Sequence, residues 1–85
     1  MKVEVLYFAS LREAVGVSRE PLELPPQVLT AADLREHLRA RGGAWADALA
    51  QARPLRVAID QAMARPEARL RDGAEVAFFP PVTGG

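Results

Sequence analysis

The last two residues of the sequence, Gly84 and Gly85, have no side chains, and they follow an apolar strand and two prolines. If Gly85 is the natural terminus, the reactive group of this protein is its own backbone carboxylate. An α-carboxyl group has a pKa of about 3.3–3.7, so at neutral pH it is an anion and a poor electrophile that must be activated before acyl transfer. Two terminal glycines arise by chance with a frequency of roughly 0.5%. The alternative, that they merely end the chain, stays open.

The composition disfavours most other chemistries. The chain has no cysteine and one histidine, His37, which excludes disulfides, thiolate metal sites and a cysteine nucleophile and disfavours zinc sites and catalytic triads. His37 lies one helical turn after Asp33, but both flank an apolar stripe on its solvent side, which favours a solvated pair over an acid–base pair. Eleven acidic residues balance eleven basic ones. Without a basic run, we expect neither nucleic acid nor a membrane as partner. The lack of cysteine and the single histidine lead us to expect no metal.

Length and hydropathy indicate a cytoplasmic protein of one domain. Glu4 stands where a signal peptide would continue its apolar segment, and the longest apolar stretch, residues 76–82, is far too short to span a membrane. A chain of 85 residues can bury one core but does not enclose a deep cleft between two lobes.

The residue patterns predict the order strand, strand, helix, strand, strand. Alternating apolar residues predict strands over 1–9, 19–24, 55–60 and 75–79. Thr30 caps the main predicted helix, and shorter helical turns are predicted after Ser10, which has capping-box spacing to Glu13, and over 45–53. Residues 61–70 are predicted to be irregular. The expected fold is α+β, a mixed four- to five-stranded sheet with one main helix packed on one face.

Two phenylalanines are predicted to mark an outer surface beside the tail. The compact topology places the first and last strands side by side and parallel at the centre of the sheet. Lys2, Glu4 and Glu75 set the solvent face of these strands, which puts Phe8 and Phe79 on that face at neighbouring strand ends. Exposed apolar groups of this kind indicate a binding partner.

The predicted domain of residues 1–79 is followed by a tail of residues 80–85. The tail consists of Pro80, Pro81, Val82, Thr83, Gly84 and Gly85. Six extended residues span about 20 Å, enough to enter the active site of a partner. The prolines stiffen its beginning and cannot extend the sheet, whereas residues without Cβ let a partner close around the backbone.

The chain resembles the small, sulfur-carrier subunit of molybdopterin synthase, a family with the ubiquitin-like β-grasp fold. The likeness spans the chain and is carried near its beginning by residues 5–9, 11–13 and Gly16. It is most specific over residues 72–85, which read Asp-Gly, then Glu-Val-Ala-Phe-Phe, then Pro-Pro-Val-Thr-Gly-Gly. Asp60 stands where the family commonly has asparagine, and residues 62–69 match poorly.

The resemblance implies a carrier that is not catalytic alone. An E1-like activating enzyme would use ATP to adenylate Gly85, and the chain would contact the nucleotide only in that enzyme. A sulfur donor would then convert the Gly85 adenylate to a thiocarboxylate, a C-terminal 1-thioglycine. The large synthase subunit, which would hold the active site in a heterotetramer, would use two such transfers onto cyclic pyranopterin monophosphate to make the dithiolene of molybdopterin. No cofactor would be bound permanently. By matched position, Phe8, Met63 and Phe79 are apolar contacts for both partners, and Arg12 is assigned to binding.

Several alternatives stay open. A sulfur carrier for thiamine or for a thiolated tRNA base shares the fold and the Gly-Gly end, and a ubiquitin-like modifier would pass the same acyl-adenylate to an amine. Lys2 is the only lysine, so self-linked chains have little to work with, whereas attachment to other proteins stays open. An ordinary β-grasp adaptor would use no terminal chemistry. The Phe-Phe-Pro-Pro approach to the tail favours the molybdopterin branch.

Overall fold

A five-stranded mixed sheet organises residues 1–81, which are the residues that the computed structural model describes. Its strands are β1 (Lys2–Tyr7), β2 (Arg19–Glu23), β3 (Arg56–Ile59), β4 (Ala62–Ala64) and β5 (Glu75–Phe79). The helices are α1 (Ala9–Val15), α2 (Ala31–Arg39) and α3 (Gly43–Ala48). The strand order is β2-β1-β5-β3-β4, with β1 and β5 parallel and the other neighbours antiparallel. This arrangement confirms the predicted β-grasp fold and the central parallel pair.

The core lies between one face of the sheet and the helices. Alternate strand residues are buried on this face: Val3, Val5, Tyr7, Val57, Val76 and Phe78. From α2, Leu34 and Leu38 are fully buried against it, and burial of each such side chain contributes about 1.5–3 kcal/mol. The helices thus cover one face, and the other face has no layer of its own within residues 1–81.

The beginning of α2 is fixed by a capping box, as its sequence predicts. The Thr30 hydroxyl accepts a hydrogen bond from the Asp33 amide at 3.1 Å, and the Asp33 carboxylate accepts the amides of Leu29 and Thr30 at 3.0 and 3.1 Å. These backbone hydrogen bonds lower the pKa of Asp33. The carboxylate is therefore a helix cap, which agrees with the interpretation that Asp33 and His37 are not an acid–base pair.

The predicted cap of α1 is wrong. Phe8, not Ser10, is the N-cap, and no side chain caps this helix. The Phe8 amide still bonds to the Phe78 carbonyl at 3.3 Å, so the sheet ladder continues to Phe8 and the helix must begin directly after it. Ala9 makes this sharp junction with a left-handed φ of 53°. The predicted stop at Gly16 is confirmed, with φ of 78°.

The segments on either side of β3 also differ from their predictions. α3 ends at Ala48 rather than continuing to residue 53, because the Arg35 side chain donates to the carbonyls of Leu49 and Arg53 at 2.9 and 2.8 Å and holds that chain in turns. Beyond β3, residues 61–70 are not wholly irregular: they contain β4, which pairs back onto β3.

Within residues 1–81, no helix has the length and apolar character needed to cross a bilayer, and the longest, α2, has nine residues.

Candidate docking face and tail root

The ends of β1 and β5 bring Phe8 and Phe79 together at the point where the tail leaves the domain. Tyr7 and Phe78 are register partners in the parallel ladder, so the residues that follow them occupy neighbouring positions on the uncovered face. Phe8 is 43% exposed. Phe79 is half-buried rather than exposed, which corrects its predicted exposure. Its neighbours across the strands, Phe8 on one side and Arg56 on the other, flank it.

A row of apolar side chains crosses the same face two residues further from the tail. Leu6 pairs with Ala77, Ala77 with Ala58, and Ala58 with Met63. Met63 is 59% exposed, and the bulkier Leu6 and Met63 lie at the two ends of this row, with the two small alanines between them. We call the surface formed by these two rows the docking face, which comprises Leu6, Phe8, Ala58, Met63, Ala77 and Phe79.

The fold therefore unites the three apolar residues that the family resemblance singled out. Phe8, Met63 and Phe79 lie on one face, although 16 to 55 positions separate Met63 from the other two in the sequence. Ala58 and Ala77 were missed because their small side chains suggest no binding role. Their alternation with buried Val57 and Phe78 does indicate the solvent face, and that signal could have identified them.

Arg12 lies at the rim of the docking face. It is exposed on α1, one helical turn after Phe8, and its amide donates to the Phe8 carbonyl at 3.3 Å. This hydrogen bond sets the backbone of Arg12 beside Phe8, where the chain leaves the sheet.

The tail begins in a groove on the other side of α1. This groove of about 310 Å³ is bordered by Leu11, Leu55, Pro80 and Pro81. Both prolines are half-buried there. The direction of the chain beyond β5 is thus fixed by its own domain as far as Pro81. The predicted tail residues Val82, Thr83, Gly84 and Gly85 lie outside the described residues.

A closed polar cluster supports the strand end that carries Phe8. The Tyr7 hydroxyl donates to Glu20 at 2.8 Å, and Arg41 donates to both carboxylate oxygens of Glu20 at 2.9 and 3.0 Å. The Arg41 guanidinium lies 4.4 Å from the ring centroid of Trp45, which in turn contacts Tyr7 edge-on at 5.3 Å. Trp45 thereby covers the core, in agreement with its predicted role.

The cluster of Tyr7, Glu20 and Arg41 is suited to stabilising the end of β1 and not to transferring protons. Burial is the main cause that raises the pKa of Tyr7 far above its ordinary value, and the Glu20 carboxylate adds to it. Burial alone would raise the pKa of Glu20, but the hydrogen bonds from Arg41 and Tyr7 outweigh it and hold that pKa below its ordinary value. Tyr7 is therefore a neutral donor and Glu20 an anion. Nor do residues 1–81 contain a group of three acidic, histidine or cysteine side chains that could hold a metal ion.

The chain is similar to known proteins over nearly its whole length. The sequence model of the ThiS family matches residues 5–85. The molybdopterin synthase sulfur carrier subunit of Haemophilus influenzae is 45% identical over 83 residues, which cover 98% of this chain and 99% of that protein.

Solved structures agree with the fold. A putative molybdopterin converting factor, subunit 1, from Pyrococcus furiosus is 28% identical with a TM-score of 0.78, covering 96% of this chain and 99% of the other. In a Helicobacter pylori complex of subunits 1 and 2 of molybdopterin-converting factor, a chain that is 21% identical shares the fold, with a TM-score of 0.66 and full coverage of both chains.

Proposed function

Because the chain belongs to the ThiS family, we propose that it is the sulfur-carrier subunit of a molybdopterin synthase and serves molybdenum cofactor biosynthesis. The relative that is 45% identical over nearly its full length carries that name. The structural observation that supports the proposal is the register of β1 and β5, which sets Phe8 and Phe79 beside the root of the tail. The apolar docking face and the tail that carries the reactive carboxylate are then neighbouring but distinct parts of the molecule.

The reactive group in this proposal is the Gly85 carboxylate. One of its oxygens attacks the α-phosphorus of ATP on an activating enzyme, pyrophosphate leaves, and a mixed anhydride with AMP forms. Sulfur delivered at the oxidation level of hydrosulfide then attacks the carbonyl carbon, the bond to the AMP oxygen breaks and AMP leaves, and loss of the S–H proton gives a tail that ends in a thiocarboxylate. The protein contributes no general acid or base to these steps; it supplies the handle and delivers it.

Delivery depends on the docking face and on the length of the tail. Phe8, Phe79 and Met63 are already partly covered by their own domain, so burying the rest of each side chain against a partner contributes a fraction of the roughly 1.5–3 kcal/mol that full burial would bring. Because Pro80 and Pro81 lie against the domain, the four residues beyond them, 82–85, can extend at most about 13–14 Å, and this is the length over which the terminus enters the active site of the large subunit while the domain stays outside. Arg12 adds a charged contact at the rim. Both the activating enzyme and the large subunit use this one face, so they must bind to it one after the other. The assembled synthase is a heterotetramer.

Intact-mass spectrometry tests the reactive group. We expect incubation with the activating enzyme, ATP and a sulfur donor to raise the mass of the chain by the difference between one sulfur and one oxygen atom. The matched control lacks Gly85. A mass increase that persists in this control would refute Gly85 as the site.

Reconstitution tests the pathway. The thiocarboxylated chain, the large subunit and the pyranopterin precursor should together form the dithiolene, and the untreated chain should not. A thiocarboxylated chain that docks on the large subunit but forms no dithiolene would assign the carrier to another product.

A further inference from the structure

Three arginines follow the tail-side border of the docking face. Arg56 is the register partner of Phe79 on β3, and Arg12 lies one helical turn after Phe8. Continuing the β3–β4 register by one residue places Arg65 opposite Arg56, directly after the end of β4. All three are exposed. We call Arg12, Arg56 and Arg65 the arginine rim.

The arginine rim differs from two other exposed arginines, Arg19 and Arg71, each of which has a carboxylate partner. Arg19 pairs with Glu4 at 2.7 Å and Arg71 pairs with Asp60 at 3.3 Å. Within residues 1–81, no carboxylate lies within ion-pair distance of Arg12, Arg56 or Arg65. The docking face is therefore positive at the side of the tail, although the chain as a whole has no net charge.

This arrangement is unfavourable for the isolated domain. Like charges at opposed positions on neighbouring strands destabilise a sheet, and Arg56 and Arg65 occupy such positions. A partner that places carboxylates against them would remove the repulsion and gain charge-assisted hydrogen bonds. Exposed rim charges of this kind chiefly govern the rate of association and its dependence on salt.

We propose that the arginine rim recognises a carboxylate-bearing border on the large synthase subunit and steers that subunit onto the docking face. This inference rests on the function proposed above. It adds Arg56 and Arg65 as partner contacts. It also implies that, on the large subunit, the surface around the site that receives Phe8 and Phe79 is acidic. The apolar residues set how long the complex lasts, and the arginine rim sets how fast it forms.

Arg56→Glu tests the inference, with Arg69→Glu as the matched control, since Arg69 is an exposed arginine outside the docking face. Association with the large subunit is followed by stopped-flow over a range of salt concentrations. We expect Arg56→Glu to slow association about tenfold at low salt and to flatten the salt dependence, with little change in dissociation. The control should behave as the unaltered chain does.

Thermal unfolding provides a second readout. In Arg56→Glu the introduced carboxylate would face Arg65, so the melting temperature of the variant should be unchanged or higher, and slower association cannot then be attributed to a damaged fold. An unchanged association rate and salt slope would overturn the inference, as would an effect seen only with the activating enzyme. If the unaltered chain does not bind the large subunit at all, the proposed function fails instead.

Discussion

The Tyr7 hydroxyl donates a 2.8 Å hydrogen bond to the carboxylate of Glu20, which ties the end of β1 to β2. Arg41, just beyond α2, pairs with the same carboxylate. The Glu20 carboxylate therefore accepts hydrogen bonds from both Tyr7 and Arg41, and it stabilises the strand end that carries Phe8. Loss of that anion should loosen the support of the docking face.

Glu20→Gln should lower the free energy of unfolding by about 1–3 kcal/mol near neutral pH, because charge-assisted hydrogen bonds to a partly buried group are weakened. The folded-state pKa of Glu20 lies below its ordinary value of 4.5. The stabilisation is thus complete above about pH 4.5 and is lost as the pH falls through the folded pKa. Denaturant unfolding of both proteins should show a difference that shrinks as the pH is lowered below the ordinary Glu pKa of 4.5.

The control for this prediction is Glu23→Gln. Glu23 lies on the same strand, its side chain is 77% exposed, and among residues 1–81 its ion-pair partner is the Met1 amine at 3.4 Å. Its replacement should change stability by less than about 1 kcal/mol. Equal effects of the two substitutions would show that the hydrogen bonds of Glu20 to Tyr7 and Arg41 add no more stability than an exposed ion pair does.

Met63→Arg should weaken binding to the large subunit by about tenfold to a hundredfold, since a side chain that is 59% exposed on the docking face would no longer be buried in the complex. Unfolding should be unaffected. Leu29→Arg is the matched control, because Leu29 is also a large exposed apolar residue, at 37%, but lies outside the docking face. Calorimetric titration of both variants would refute the role of Met63 if they bound equally well.

Much of this site can be predicted from local sequence patterns. Alternation identifies the buried face of β1, Thr30 and Asp33 identify the start of α2, and the order of elements places β1 beside β5. The positions of Phe8 and Phe79 follow from those three inferences. Each depends on residues that are close in sequence or on a general rule of topology.

The remainder depends on register, which is not a local property. Ala58 lies opposite Met63, and Arg56 lies beside Phe79, only because three strands pair in one register. A shift of that register by one residue would move every side chain of the shifted strand to the other face of the sheet. The same holds for the junction at Ala9, where continued pairing of Phe8 overrides the capping signal of Ser10. Tertiary pairing decided these points against local preference.

Arg35→Met should lower the free energy of unfolding by about 1–3 kcal/mol, since it leaves the partly buried Leu49 carbonyl after α3 without the donor that Arg35 supplies. The Arg35 guanidinium donates to the carbonyls of Leu49 and Arg53 at 2.9 and 2.8 Å, and it also reaches Ala50. Arg35→Lys should not restore the loss, because one ammonium cannot reproduce this planar fork. Full rescue by lysine, measured by denaturant unfolding, would mean that charge alone matters.

Gln61→Gly should raise the free energy of unfolding by about 0.5–1 kcal/mol. Asp60 and Gln61 form the two-residue turn between β3 and β4 with φ of 49° and 70°, a left-handed pair that favours glycine over residues with a Cβ. The reverse is expected for Asp60→Gly, since the Asp60 carboxylate accepts the Glu75 amide at 3.0 Å and pairs with Arg71. Denaturant unfolding separates the two cases. Because the turn sets the register that aims Met63 at the docking face, Gln61→Gly should keep full affinity for the large subunit, and a stabilised variant that binds poorly would show that this hairpin must move on docking.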